Sequence, residues 1–397
     1  MSSWPTHYAA MVPLGWALQA AGHEVRVLCA PSQATPVANA GFIPVPIIDG
    51  LDPVLSNRLQ YYHEAVAGSW PYPWLPLHPV TGREITDLRD FDVEEFRATV
   101  EVDLIARTRD SFDRVAQLTR SWRPDLVLHD PASLEGVFAA RLMGVPAALC
   151  LWGPVGTHEP EHMRIVPQDF SGSFPRHGLE PFHLGMIDRV VDPCPAELAP
   201  PTTAQRLAMR YVPYNGCSAA APWLFEAPER RRVCVAWSTA LSVMSGPASY
   251  LVPLLIESLA DLDCELVVTA TAGDVAALGS LPRSVRVLEH LPLRLLLATC
   301  EAVVHHGGSG NTMTALCHGV PQLAVTFASE QAAAADRVTR TGAGLHLPGH
   351  RADKAAVRES AWRLLTEPSF RQGAAAVRDA IIARPTPADL VSTLEDL

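Results

Sequence analysis

The stretch that most restricts the possible folds of this chain is Ala302 to Phe327, AVVHHGGSGNTMTALCHGVPQLAVTF. An apolar run ends at two histidines, and Gly307, Gly308 and Gly310 follow almost at once. A helix is expected from Asn311 or Thr312, and then a second apolar run, Gln322–Thr326. Glycines let a backbone approach a ligand closely, and a helix N-terminus presents unpaired N–H groups and partial positive charge. That combination suits an anionic phosphate. The spacing is neither GxGxxG nor GxxxxGK-[ST], so a dehydrogenase fingerprint and a P-loop have no support.

The same alternation recurs along the chain. Before Val25–Ala30, an expected strand, Pro13–Ala21 has helical spacing and stops at Gly22. Val93–Trp122 reads as one long amphipathic helical region. Asp125–His129 and Pro146–Trp152 read as strands around a helix, Ala132–Met143. Further on, strands are expected at Val233–Trp237, Glu265–Ala270, Val285–Leu288 and Ala302–His305. Expected helices there are Pro247–Leu262, Leu293–Thr299, Glu330–Arg340, Lys354–Thr366 and Ser369–Ala383. Alternating strands and helices mean parallel sheets covered on both faces. Proline and glycine break the rhythm over 153–228.

The predicted organisation is therefore α/β in two halves facing a cleft. Residues 1–205 form the first domain, 206–228 a linker, 229–385 the second domain and 386–397 a tail. The 397 residues, 48% of them hydrophobic, suffice for two cores. One element is missing, because a doubly wound sheet normally opens on a strand and this sequence goes from Met1 to His7 directly into its first helix. Two explanations stand: a start site upstream of Met1, or a domain lacking that strand.

Composition excludes several classes. The net charge is −11 without a long basic run, so nucleic-acid binding is not expected. The longest apolar candidate, Leu291 to Val304, is cut by Arg294 and Glu301, short of the roughly 18–20 residues of a membrane span. Eight cysteines are scattered with no CxxC pair, as expected of small buried side chains in a reducing cytoplasm. The first residues carry no basic stretch followed by an apolar core, so no secretory signal is expected. His158-Glu159-Pro160-Glu161-His162 spells the HExxH of zinc proteases, but Pro160 interrupts the helix that pattern needs. No metal site is expected.

HHGGSGNTMTALCHGVPQL, followed by Glu330-Gln331 and Gly342-Ala343-Gly344, resembles the donor-binding signature of family 1 GT-B glycosyltransferases. VPLGWALQAAGHEVRV (12–27), WRPDLVLHDPASLEG (122–136), MRYVPYNG (209–216) and VCV (233–235) resemble that family's macrolide and polyketide deoxysugar-transferase branch, in the expected order. The resemblance implies a GT-B fold, two Rossmann-like domains across a cleft. It implies inverting transfer of a deoxysugar from a nucleotide diphosphate, dTDP by resemblance, to a natural-product aglycone.

The resemblance also implies roles. His306 would touch the diphosphate, cradled by Gly307, Gly308, Ser309, Gly310 and Asn311. Ser238 and Thr239 would add a phosphate contact, His290 and Leu291 would hold the base, and Glu330 and Gln331 the sugar hydroxyls. His305 reads as a packed strand-end histidine. His7 would be the general base, with Asp130 as its partner or as a helix cap. The stretch 61–78 holds Trp70, Tyr72 and Trp74, either as an acceptor wall or as aromatics tucked against the core. Three positions depart from the family pattern: Asn311 for Thr or Ser, His290 for an aromatic, and Glu330 for Asp. Beyond the co-substrate, no cofactor is expected. A cytochrome-P450-like helper protein and a homodimer are compatible with this branch. The alternatives are a degenerate GT-B protein that binds nucleotide or stabilises a partner, and a sugar-nucleotide epimerase of the same fold.

Overall fold

The computed structural model describes all residues except 2, 5, 271–277, 279 and 290, and the side chains of Thr239 and Ala240 are also left out. The chain divides into two compact units. Unit 1 comprises Met1–Pro53, Asp92–Gly216 and Ala383–Leu397; unit 2 comprises Val54–Phe91 and Cys217–Ile382.

Unit 2 is built on six parallel strands: β7 (Arg232–Ala236), β8 (Glu265–Ala270), β9 (Val285–Glu289), β10 (Ala302–His305), β11 (Gln322–Thr326) and β12 (Gly344–Pro348). Their order across the sheet is β12-β11-β10-β7-β8-β9, all pairs parallel. β7, β10 and β11 are buried along their whole length. This is why they read as unbroken apolar runs rather than alternating ones. Successive side chains point to opposite faces: Val233 and Val235 join one core cluster, Cys234 and Ala236 the other. The strand order reverses between β7 and β10, and an open α/β sheet binds ligands outside the carboxyl ends of its strands at such a switch point.

Unit 1 carries β3 (Val127–His129), β4 (Ala147–Cys150), β5 (Arg189–Asp192) and β6 (Gln205–Ala208) as one parallel sheet in sequence order. A separate parallel pair, β1 (Arg26–Leu28) and β2 (Ile43–Val45), stands apart from it. Ala148, Cys150, Val191 and Leu207 pack with Leu14 and Leu18, whereas Leu149 and Val190 pack with Phe112, Val115 and Phe138.

The boundaries differ from expectation in three places. Val54–Phe91, which opens on the helix Pro53–Val66, belongs to unit 2. The expected linker begins inside β6, and the broken stretch 153–228 supplies both β5 and β6. These are four-residue strands among turns, and β6 starts with two exposed polar residues, so neither shows an apolar run. The expected tail forms a helix, Pro387–Glu395, whose Leu390, Val391 and Leu394 pack on Leu14 and Leu18 of Val12–Ala20. Smaller differences follow the same logic. The region 93–122 is two helices broken at Thr99, and Pro247–Leu262 contributes a 3-10 turn, Pro247–Ser249, and a shorter helix, Val252–Leu259. Among the described residues, no helix is long and apolar enough to cross a membrane.

Candidate active site

In unit 2 the chemistry gathers at the carboxyl ends of β7 and β10. β10 ends in His305, which is fully buried. The Gly307 N–H donates to its Nδ1 at 3.0 Å, so Nε2 carries the proton and donates to Gln322 Oε1 at 2.8 Å. Burial pushes its pKa down to about 3, which keeps the ring neutral. His305 is thus a structural brace for the turn, as its strand-end position suggests.

Gly307 takes φ +88°, a region glycine enters at little cost, and a Cβ there would lie 2.8 Å from Thr326 Cγ2. A Cβ on Gly308 would lie 2.7 Å from His306 Nε2, so its absence lets the imidazole lie against the turn. The helix then starts at Ser309, two residues before the expected point, and runs to His318. Gly308 is its N-cap, and no side chain caps it. The first-turn N–H groups of Ser309, Gly310 and Asn311 are therefore available for an anion.

His306 is held neutral, its pKa lowered to about 4 by burial against the raising effect of a hydrogen bond to the Ala236 backbone. Its Nδ1 is buried with no hydrogen-bond partner among the described residues. Its ring meets Trp237 edge-on at 6.0 Å. Asn311 turns its side-chain amide toward the Ala236 carbonyl at 3.5 Å, spanning the switch point. Ser238 follows β7, half-buried, and Thr239 opens the helix Thr239–Ser245. The Thr239 side chain and His290 lie outside the described residues. Leu291 is half-buried, packed beside Leu293 and Leu296.

Glu330 and Gln331 occupy the first turn of Ser329–Arg340. Burial raises the Glu330 carboxyl above its ordinary range, and Glu64 pushes it the same way. Gln331 Oε1 accepts the Phe327 backbone N–H at 3.3 Å, so that oxygen braces the loop.

The aromatic stretch corrects its expected placement in the first domain. Trp70, Tyr72 and Trp74 lie in unit 2, against its core. Tyr72 is 8% exposed and stacks on Phe327 at 5.4 Å, while Trp70 Nε1 donates to the Trp74 carbonyl at 2.7 Å. The tucked reading describes Tyr72: its ring is spent on packing and is not a free wall for an acceptor.

In unit 1, His7 sits in the 3-10 turn His7–Ala10 at the head of the first helix. Its Nδ1 lies 3.8 Å from Asp130 Oδ1, and its ring stacks on Trp152 at 3.7 Å between centroids, 24° from parallel. Asp130 follows β3 and has no exposed surface. The same Oδ1 accepts the Ala132 N–H at 3.1 Å in the turn ahead of the helix Leu134–Met143, whose N-cap is Ser133, so Asp130 orders that turn and does not cap the helix. Burial takes His7 down to about 4, opposed by the Asp130 charge. The sequence reading missed Trp152, although it ends the apolar run ALCLW at the carboxyl end of β4.

The HExxH stretch holds loops together. Glu159 accepts the Gly156 N–H at 2.8 Å, and His158 bonds to Thr157 and Thr203. Among the described residues, no three metal-ligating side chains gather.

Residues 16–238 match the family model described as erythromycin biosynthesis protein CIII-like, N-terminal domain, and residues 253–397 match its C-terminal domain. The 3-alpha-mycarosylerythronolide B desosaminyl transferase of Saccharopolyspora erythraea is 32% identical, over 99% of this chain and 96% of that protein. The aklavinone 7-beta-L-rhodosaminyltransferase of Streptomyces galilaeus is 33% identical, over 98% and 93%. Among solved structures, spinosyn rhamnosyltransferase complexed with thymidine diphosphate superposes with TM-score 0.76 at 28% identity, covering 99% of this chain and 97% of that one. The same enzyme complexed with spinosyn aglycone matches with TM-score 0.76 at 29% identity, covering 99% of both chains. Two parallel α/β units, a glycine turn at the switch point of the second and these matches lead to one conclusion: the chain belongs to the erythromycin biosynthesis protein CIII-like family of nucleotide-sugar-dependent GT-B glycosyltransferases.

Proposed function

We propose that the protein moves a deoxysugar from thymidine diphosphate to a hydroxyl of a polyketide aglycone, with inversion at the anomeric carbon. The observation that carries this reading is the pairing of half-buried His7 with fully buried Asp130 in unit 1, in a chain whose unit 2 ends its switch point in an uncapped, glycine-lined helix N-terminus. Relatives named for desosamine and rhodosamine transfer, and a structural neighbour complexed with thymidine diphosphate, support the substrate class.

With Nδ1 toward Asp130, the Nε2 of neutral His7 takes the acceptor's hydroxyl proton as that oxygen attacks the anomeric carbon. The carbon–phosphate oxygen bond breaks, and its electron pair leaves with the diphosphate. Asp130 then stabilises the imidazolium, and Trp152 holds the ring's plane. His306 and the first-turn amides of Ser309 to Asn311 take up the leaving charge, a preorganised electrostatic effect that requires no metal. Glu330 and Ser238 would contact sugar and phosphate. Leu291 and His290 would hold the base. Trp70 and Trp74 are the remaining acceptor candidates. A P450-like helper, supported by the family resemblance, a homodimer and a cytoplasmic location, supported by the scattered unpaired cysteines, complete the proposal.

The test separates binding from turnover. His306→Ala should lose thymidine diphosphate affinity in calorimetry. His7→Ala should keep that affinity but lose turnover by about 10²–10⁴-fold, the usual worth of a positioned base. Unchanged turnover in His7→Ala would overturn the assignment. Nucleotide binding without any transfer by the wild type would leave the degenerate, partner-stabilising reading.

A further inference from the structure

Thr326 ends β11 and is buried. Its Cγ2 is the atom nearest to where a Cβ on Gly307 would lie, at 2.8 Å, with Gln331 Cβ next at 3.1 Å. The Thr326 methyl group is therefore the wall against which the glycine turn closes. Where that methyl points depends on the hydroxyl beside it, because both sit in staggered positions about the same bond. Thr326 Oγ1 lies 2.8 Å from His346 Nε2, and His346 Nδ1 lies 2.7 Å from Asp336 Oδ1. A carboxylate only accepts, so Nδ1 carries a proton and donates it to Asp336. In the neutral ring Nε2 then accepts the Thr326 O–H. A hydrogen-bonded chain thus runs from the protein surface, where the Asp336 side chain is 59% exposed, through His346 to the wall of the turn.

The sheet does not need this chain to hold together. β12 already pairs with β11 from Gln322–Gly344 to Thr326–Pro348. Leu345 and Leu347 pack on the core cluster of Val233 and Val235, so His346 between them faces the helix Ser329–Arg340. That helix buries Ala334, Ala335 and Val338 of its own. An ion pair with one partner in solvent adds little stability. An apolar residue at 346 would fill the same layer, yet it would leave the Thr326 hydroxyl buried without a partner and free to turn. From this geometry we propose that the Asp336–His346–Thr326 chain is a clamp. It fixes the Thr326 rotamer, keeps the methyl group against Gly307 and so holds the glycine turn in its anion-binding form. On the reading that this turn receives the donor, His346 is a positioning residue for the nucleoside diphosphate, acting through Thr326 without touching the ligand.

The experiment measures thymidine diphosphate affinity by calorimetry and amide exchange at Gly307, whose N–H is held by His305, in the wild type and three variants. His346→Leu keeps the bulk but accepts no hydrogen bond. It should weaken affinity by about tenfold and speed Gly307 exchange by roughly tenfold. His346→Gln offers its amide oxygen to Thr326 and should restore most of both. Thr326→Ser keeps the hydroxyl and the chain but lacks the methyl group, and should lose affinity as His346→Leu does. A melting temperature lowered in His346→Leu with affinity and Gly307 exchange unchanged would overturn the proposal, because the chain would then be only a brace between strand and helix. So would a glutamine variant no better than the leucine one. A wild type that fails to bind thymidine diphosphate would remove the donor reading instead. Gly307 exchange in His346→Leu would still decide on the clamp, supporting it if faster and overturning it if unchanged.

Discussion

A histidine that acts as a base must be neutral at working pH, and in His7 burial secures this by lowering its pKa to about 4. The acid limb of kcat/KM should therefore lie near pH 4 rather than 6.5, and pH–rate profiles will show it. Because the Asp130 charge raises that pKa, Asp130→Asn should move the limb lower still while reducing the rate. His306 works in the opposite sense. An arriving diphosphate favours its charged form, so the nucleotide complex holds more protons than the free protein. Thymidine diphosphate affinity should rise from pH 7 to pH 5, with proton uptake measurable by calorimetry in two buffers, and the effect should vanish in His306→Ala. His129 and His305, held at about 4 and about 3 by burial, bear on stability. Between those values and 6.5 the unfolded chain binds protons that the folded chain refuses. Stability then falls with falling pH, and urea midpoints from pH 7 to 4.5 will measure it.

At the scale of elements, the turn between β10 and Ser309–His318 depends on a backbone only glycine supplies cheaply. Gly307→Ala puts a methyl group at φ +88° and 2.8 Å from Thr326 Cγ2. It should weaken thymidine diphosphate binding at least about tenfold, with circular dichroism unchanged, since either the turn or Thr326 must shift. This element was legible from sequence because its signals are local: an apolar run, glycines, then helical spacing. Even so, the helix starts at Ser309, because Gly308 in an extended conformation serves as N-cap where no side chain does. β5 and β6 were not legible. Their pairs, Leu149 with Val190 and Val190 with Arg206, join residues beyond any short window, and four residues among prolines carry no periodic signal.

For the whole molecule, the last fifteen residues show how far local signals mislead. Residues 386–397 read as a tail and 383–385 as the end of the second domain, yet 383–397 belong to unit 1. Arg384 donates to the Met209 and Asp192 carbonyls, and Leu390, Val391 and Leu394 are almost fully buried. Burial of such side chains is worth roughly 1.5–3 kcal/mol each, and a domain's margin is about 5–15 kcal/mol. Deleting 383–397 should therefore lower or abolish the unit 1 melting transition in calorimetry. The transition that thymidine diphosphate stabilises should remain, because the glycine turn proposed to bind it lies in unit 2.

What the sequence determined by itself is whatever a short window encodes: parallel strands as apolar runs, the alternation with helices, the glycine turn with its histidines, and the pairing of His7 with Asp130 through family resemblance. What only tertiary structure decided depends on residues far apart in the chain. It assigned 54–91 to unit 2, stacked Tyr72 on Phe327, set Trp152 against His7, and braced the turn with His305 through Gln322. Periodicity reports which face of an element is apolar; which partner covers that face is fixed only when the chain packs.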